Sequence, residues 1–100
     1  MAWPQLHPAA ERELTEPINW YEGRATGLGL RLYDAVDVVM ARIGRSPELY
    51  AAWPQNPRYR RAVLQAFPYM IFYRAYEARM VVLAIAHTSR RPGYWLGRVG

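Results

Sequence analysis

A chain of 100 residues that is 52% hydrophobic and 21% charged has the composition of a folded chain and the length of one domain, residues 1–100. Its formal net charge of +5 suits an anionic partner: nucleic acid, an acidic protein or an anionic surface. Cysteine is absent, which excludes a disulfide framework, a thiol nucleophile and a thiolate metal site.

All 13 basic residues are arginine. Arginine offers phosphate or carboxylate a planar fork and stays protonated, so it binds anions well and transfers protons poorly. With only His7 and His87 as imidazoles, no metal site is expected, and no cofactor motif is present. The N-terminal MAWPQLHPAAERELTE lacks the charged and apolar regions of a signal peptide, and no apolar run reaches the roughly 18 residues of a membrane span. A cytoplasmic protein that does not enter the membrane is expected.

Residues 2–7 read as a short strand with Trp3 and Leu6 partly buried. Pro4 has no N–H to give a ladder and confines such a strand to a sheet edge. A helix starts at Pro8, proline being favoured at the first helical position, with His7 at the N-cap. Ala10, Leu14, Ile18 and Tyr21 mark one face of it, and Pro17 predicts a kink or irregularity over 13–17 without ending it. The turn GRATGLG at 23–29 carries three glycines where the chain must reverse. A second helix over 28–45 follows, with Leu28, Leu32, Ala35, Val36, Val39, Met40 and Ile43 along one stripe and Arg31, Asp34, Asp37 and Arg42 opposite.

Residues 47–58 hold three prolines and read as a loop pinned by Leu49, Tyr50 and Trp53. Residues 58–64 lead into a strand. The segments 69–75 and 80–87, rich in β-branched and aromatic residues, form a hairpin about the connection 76–79. The order β, α, α, β, β, β implies an α+β fold, a helical hairpin packed on one face of a small curved antiparallel sheet.

Several segments together carry a family likeness: PAAERELTE at 8–16 with INWY at 18–21, GLGLRLYDAVD at 27–37, RIGRSPELY at 42–50, FPYMIFYR at 67–74, VVLAIAH at 81–87 and RRPGYW at 90–95. In this order they resemble the RelE/ParE superfamily of toxins from bacterial type II toxin–antitoxin modules, over nearly the whole chain. The resemblance implies the fold just described, growth inhibition, and neutralisation by an antitoxin encoded beside the toxin, with a higher-order toxin–antitoxin complex as a further possibility. RelE-like members cut messenger RNA at the ribosome; ParE-like members are not enzymes and inhibit DNA gyrase. The all-arginine composition and the long helical hairpin favour the ParE-like mechanism. An mRNA endonuclease is the alternative, and a non-catalytic nucleic-acid-binding domain or an inactive toxin relative stands beside it.

For a RelE-like reaction the candidate catalytic residues are His87, Tyr94 and Arg61: a base for the 2′-hydroxyl, an acid for the leaving oxygen and a cation for the phosphate. A basic functional patch is expected from Arg60, Arg61, Arg74, Arg90 and Arg91. Each of these has a plainer reading as a solvated surface arginine, His87 as an anchor for the tail, and Trp95 as packing rather than a stacking surface. His87 shares strand parity with Leu83 and Ile85. Antitoxin contacts are assigned to Leu14, Ile18, Tyr21, Leu32, Val36 and Arg74.

Overall fold

The computed structural model describes residues 3–98. Its elements run β1 (Gln5–Leu6), α1 (Pro8–Arg24), α2 (Leu28–Arg45), β2 (Arg60–Val63), β3 (Tyr69–Ala75) and β4 (Met80–His87). These are the two helices and four strands expected from the chain, in the expected order. Of the short N-terminal strand, Ala2 lies outside the described residues, and Trp3 is 50% exposed rather than partly covered.

Local chemistry sets the helix limits. His7 caps α1, its Nδ1 accepting from the Ala9 N–H at 3.0 Å, and Pro8 follows where a missing N–H costs nothing. The helix continues through Pro17 to Arg24. Gly27 then takes φ +88°, the left-handed conformation that favours glycine, and starts α2 without a side-chain cap of its own. The cap comes from α1 instead. Glu22 accepts from Gly27 N at 2.9 Å through one carboxylate oxygen and from Gly29 N at 3.0 Å through the other. This locks the helical hairpin at its turn, with the anion at the positive end of α2.

The sheet order is β1-β4-β3-β2. Strands β2, β3 and β4 are antiparallel neighbours, as expected, whereas the two-residue β1 joins the outer side of β4 in parallel, making the sheet mixed. β1 therefore occupies an edge, beside the Val81–Val82 half of β4.

Both faces of the sheet are covered. On one, α1 and α2 bury Ala10, Leu32, Val36, Val39, Met40 and Ile43 against Ala62, Ile71, Tyr73, Val82 and Ile85. On the other, Trp53 and Trp95 pack over Phe72, Val81, Leu83, Ala84 and Ala86. Trp53 does pin its loop, but Leu49 is 58% exposed and does not. With layers on both faces, β4 is apolar from Met80 to Ala86, as a strand covered on both sides must be.

The β3–β4 register shifts between Phe72 and Tyr73: Phe72 lies opposite Ala84, yet Tyr73 lies opposite Val82. Leu83 is the extra residue, and the irregularity reverses the face of everything before it. Leu83 and Ala84 both join the outer core, while Val82 and Ile85 face the helices. Simple alternation, which puts Leu83, Ile85 and His87 on one face, therefore fails at Leu83.

Candidate functional site on the outer sheet face

After β4 the chain turns back across the outer face in a series of short turns, with Arg90 N bonding His87 O, Tyr94 N bonding Arg91 O and Leu96 N bonding Gly93 O. Gly93 makes this path possible at φ +78°; a Cβ there would lie 2.9 Å from Leu96 Cδ1. The turns press Trp95 into the outer core, 4.7 Å from Phe72, 4.8 Å from Tyr59 and 5.4 Å from Trp53 between ring centroids. Its plainer reading, packing, describes where it sits.

Between this tail and the sheet lies a cavity of about 80 Å³. Trp53, Met70, Phe72 and Trp95 form its apolar side, while Arg61, His87, Arg90, Arg91 and Tyr94 also line it. Residues from β2, from the end of β4 and from the tail thus meet at one place. Arg61 arrives because it pairs with Phe72 and shares its outward parity.

The other two arginines of the expected patch lie elsewhere. Arg60, one residue from Arg61, has the opposite parity, and its Nη1 donates to Tyr50 O at 2.7 Å, which pins the loop before β2. Of the five arginines, the structure brings Arg61, Arg90 and Arg91 together at the cavity. Arg74 faces outward but further along β3, its guanidinium 4.8 Å from the Tyr76 ring and 5.9 Å from that of Tyr59. It does not line the cavity.

The two proton-transfer candidates differ sharply. His87 Nδ1 accepts from Ser89 N at 3.0 Å and lies 2.7 Å from Ser89 Oγ, so the neutral ring carries its hydrogen on Nε2. Its ring meets Tyr69 edge-on at 5.2 Å. Tyr94 is committed: its hydroxyl donates to Glu13 Oε2 at 2.5 Å. Burial, and after it the Glu13 carboxylate that the phenol bonds, push Tyr94 up to about 12.

Glu13 is the residue that the sequence reading passed over. It gathers the Ile85 N–H at 3.1 Å, Tyr94 and both terminal nitrogens of Arg98, at 2.7 and 3.0 Å. Arg98 also donates to Leu83 O at 2.9 Å. Burial alone would raise the Glu13 carboxyl, but the hydrogen bonds from Arg98, Tyr94 and Ile85 together hold it below its usual 4.5. Beyond the reach of β1, then, the backbone edge of β4 is satisfied by a carboxylate and a guanidinium. A trace of this was visible: Glu13 falls three residues after Ala10, on the apolar stripe of α1.

Comparison with known proteins agrees with this architecture. The sequence model of the family described as the ParE toxin of the type II toxin–antitoxin system parDE matches residues 5–92. The chain belongs to the ParE toxin family. It is 32% identical over 89 residues to Toxin ParE2 of Mycobacterium tuberculosis strain CDC 1551 / Oshkosh, covering 88% of this chain and 83% of that one, and stands in the same relation to Toxin ParE2 of strain H37Rv. A solved structure of the chromosomal ParDE system from P. aeruginosa has the same fold, with a TM-score of 0.71 at 17% identity over 87% of this chain and 96% of its own.

The family places this chain among the toxins of type II modules, whose partner is a cognate antitoxin. The residues expected to receive that antitoxin are largely spent on the ParE fold itself. Leu32 and Val36 are 1% and 2% exposed, sealed in the helix–sheet core, and Leu14, Ile18 and Tyr21 pack against that core half-buried. The apolar stripe that suggested a docking face is the face that holds the hairpin to the sheet. Arg74 alone of the six lies outside that core, with its charge over two tyrosine rings.

Proposed function

We propose that this protein acts in the cytoplasm as a ParE-type toxin that arrests growth by inhibiting DNA gyrase, without catalytic chemistry of its own, until a cognate antitoxin from a neighbouring gene neutralises it. The observation that carries this reading is the commitment of the Tyr94 hydroxyl to Glu13. A ribonuclease of the RelE type needs one group to take the 2′-hydroxyl proton and another to protonate the leaving oxygen. Among the described residues lining the cavity, His87 is the one imidazole. Tyr94, its proposed complement, has its hydroxyl proton committed to the Glu13 carboxylate. The remaining polar rim is arginine, which binds and does not exchange protons.

The test is a pulse-label experiment after induction of the toxin without its antitoxin. DNA synthesis is expected to fail before protein synthesis, and purified toxin is expected to trap gyrase on cleaved DNA. A His87→Ala variant is expected to stay toxic. Protein synthesis failing first, with toxicity lost in His87→Ala, would overturn the gyrase reading in favour of the nuclease.

A further inference from the structure

The outer-face cavity is lined by three arginines, Arg61, Arg90 and Arg91, and, among the described residues, by no carboxylate. Glu13 pairs with Arg98, outside this lining, and the Arg90 guanidinium lies over the Tyr94 ring at 3.8 Å. One further donor is left over at the same place. Trp95 is 1% exposed, and its Nε1–H has no acceptor among the described residues. Buried donors are ordinarily paired, so an indole N–H without an acceptor, on a residue that lines the same cavity as three arginines, adds to a lining rich in donors. Its complement is a group rich in acceptors.

Size narrows the choice. A cavity of about 80 Å³ is several times smaller than the roughly 300 Å³ at which pockets begin to enclose a whole small molecule, so it takes one compact anionic group. A second, open groove of about 330 Å³ adjoins it, sharing His87 and Arg90. Pro17, Trp20 and Tyr69 give that groove flat apolar surfaces, and Trp20 is 55% exposed. An anion seat beside an aromatic groove repeats the alternation of phosphate and base along a single strand. An acidic peptide matches the arginines but not the groove, which Glu13 and Glu16 also line. The Glu16 carboxylate there repels acidic side chains and can accept a hydrogen bond from a base amino group.

We propose that the outer-face cavity seats one phosphate of a single-stranded nucleic acid, gripped by Arg61, Arg90 and Arg91, with the adjoining base against Tyr69 and Trp20. The site stands on these residues whether or not gyrase is the target.

The test is fluorescence anisotropy of the full chain with a labelled short oligodeoxycytidylate across a salt series, joined to ¹⁵N spectra of the four tryptophan indoles. Binding is expected to weaken with salt. Arg61→Ala and Arg91→Ala, both at exposed positions, should each weaken it about tenfold and lower the slope of log K against log salt by about 0.7, one phosphate's share. Arg31→Ala, exposed on α2, should leave it within about twofold, and the Trp95 indole resonance should move on binding while that of Trp3 stays. Unchanged indole spectra, equal losses in all three variants, or no binding at low salt would overturn the proposal. A glutamate-rich peptide that binds as tightly, with the same losses in Arg61→Ala and Arg91→Ala, would overturn it in favour of a carboxylate seat.

Discussion

At the scale of single residues, Glu13 carries more of the structure than any side chain near it. Its carboxylate neutralises Arg98, holds the Tyr94 phenol and replaces a strand partner for Ile85. Its side chain is 15% exposed and that of Arg98 19%, so the pair is well covered. Removing one partner strands the other, and Glu13→Ala is expected to cost about 3 kcal/mol in urea unfolding at neutral pH. The carboxyl is held below its usual 4.5 when folded, so its contribution is complete above that pH and drains as pH falls through the lowered folded value. Tyr94 has the opposite sign. Raised from 10.0 to about 12, its phenol stabilises the fold fully below pH 10 and loses that contribution between pH 10 and about 12. Tyr94→Phe is expected to cost about 1.5 kcal/mol, as for a hydrogen bond to a charged acceptor, and to remove the highest-titrating phenol from an ultraviolet titration. This cluster was half legible in the sequence. A carboxylate on an apolar stripe announces a partner, but nothing local to Glu13 identifies an arginine 85 positions away.

At the scale of elements, periodicity and punctuation were enough for nearly all of the fold. The boundaries of α2 follow from Gly27 and from an apolar stripe that does not drift, and those of β3 and β4 follow from blocks of β-branched and aromatic residues. The bulge at Leu83 was hidden for a physical reason. VVLAIAH is apolar at every position before the histidine because both faces of β4 are covered, so it has no alternation from which an extra residue could be read. The parallel pairing of β1 was equally hidden, since two residues carry no register. The helical hairpin offers two tests of opposite sign. A Cβ on Gly29 would lie 2.4 Å from the Ile18 carbonyl oxygen, which is backbone and cannot swing aside. Gly29→Ala is expected to destabilise by about 2 kcal/mol as the helices are forced apart. Pro17 withholds a hydrogen bond from the middle of α1, and Pro17→Ala is expected to restore it and stabilise by about 2 kcal/mol in denaturant unfolding.

At the scale of the whole molecule, the balance of charge decides how partners arrive. A net charge of +5 draws in anionic chains from a distance, an effect that salt screens. Association with the antitoxin is expected to slow roughly tenfold from about 50 mM to about 500 mM salt in stopped flow, with dissociation much less affected. The sequence foretold that the arginines matter as a group and misjudged how they divide. Arg60 and Arg61 are adjacent in the chain, but strand alternation sends one to a loop carbonyl and the other to the cavity. The apolar residues assigned to the antitoxin show a related ambiguity, since Leu32 and Val36 are buried against the sheet. A stripe that packs an element onto its own sheet looks the same in sequence as a stripe that awaits a partner.

The bond between Glu13 and Arg98 has a temporal meaning as well. It joins positions 85 residues apart and closes a long loop between α1 and the tail, so it is expected to form late in folding and to open early in unfolding. A contact absent from the transition state acts on lifetime rather than on speed of formation. Glu13→Gln is therefore expected to leave the refolding arm of a chevron almost where it was and to lift the unfolding arm by roughly the whole equilibrium loss.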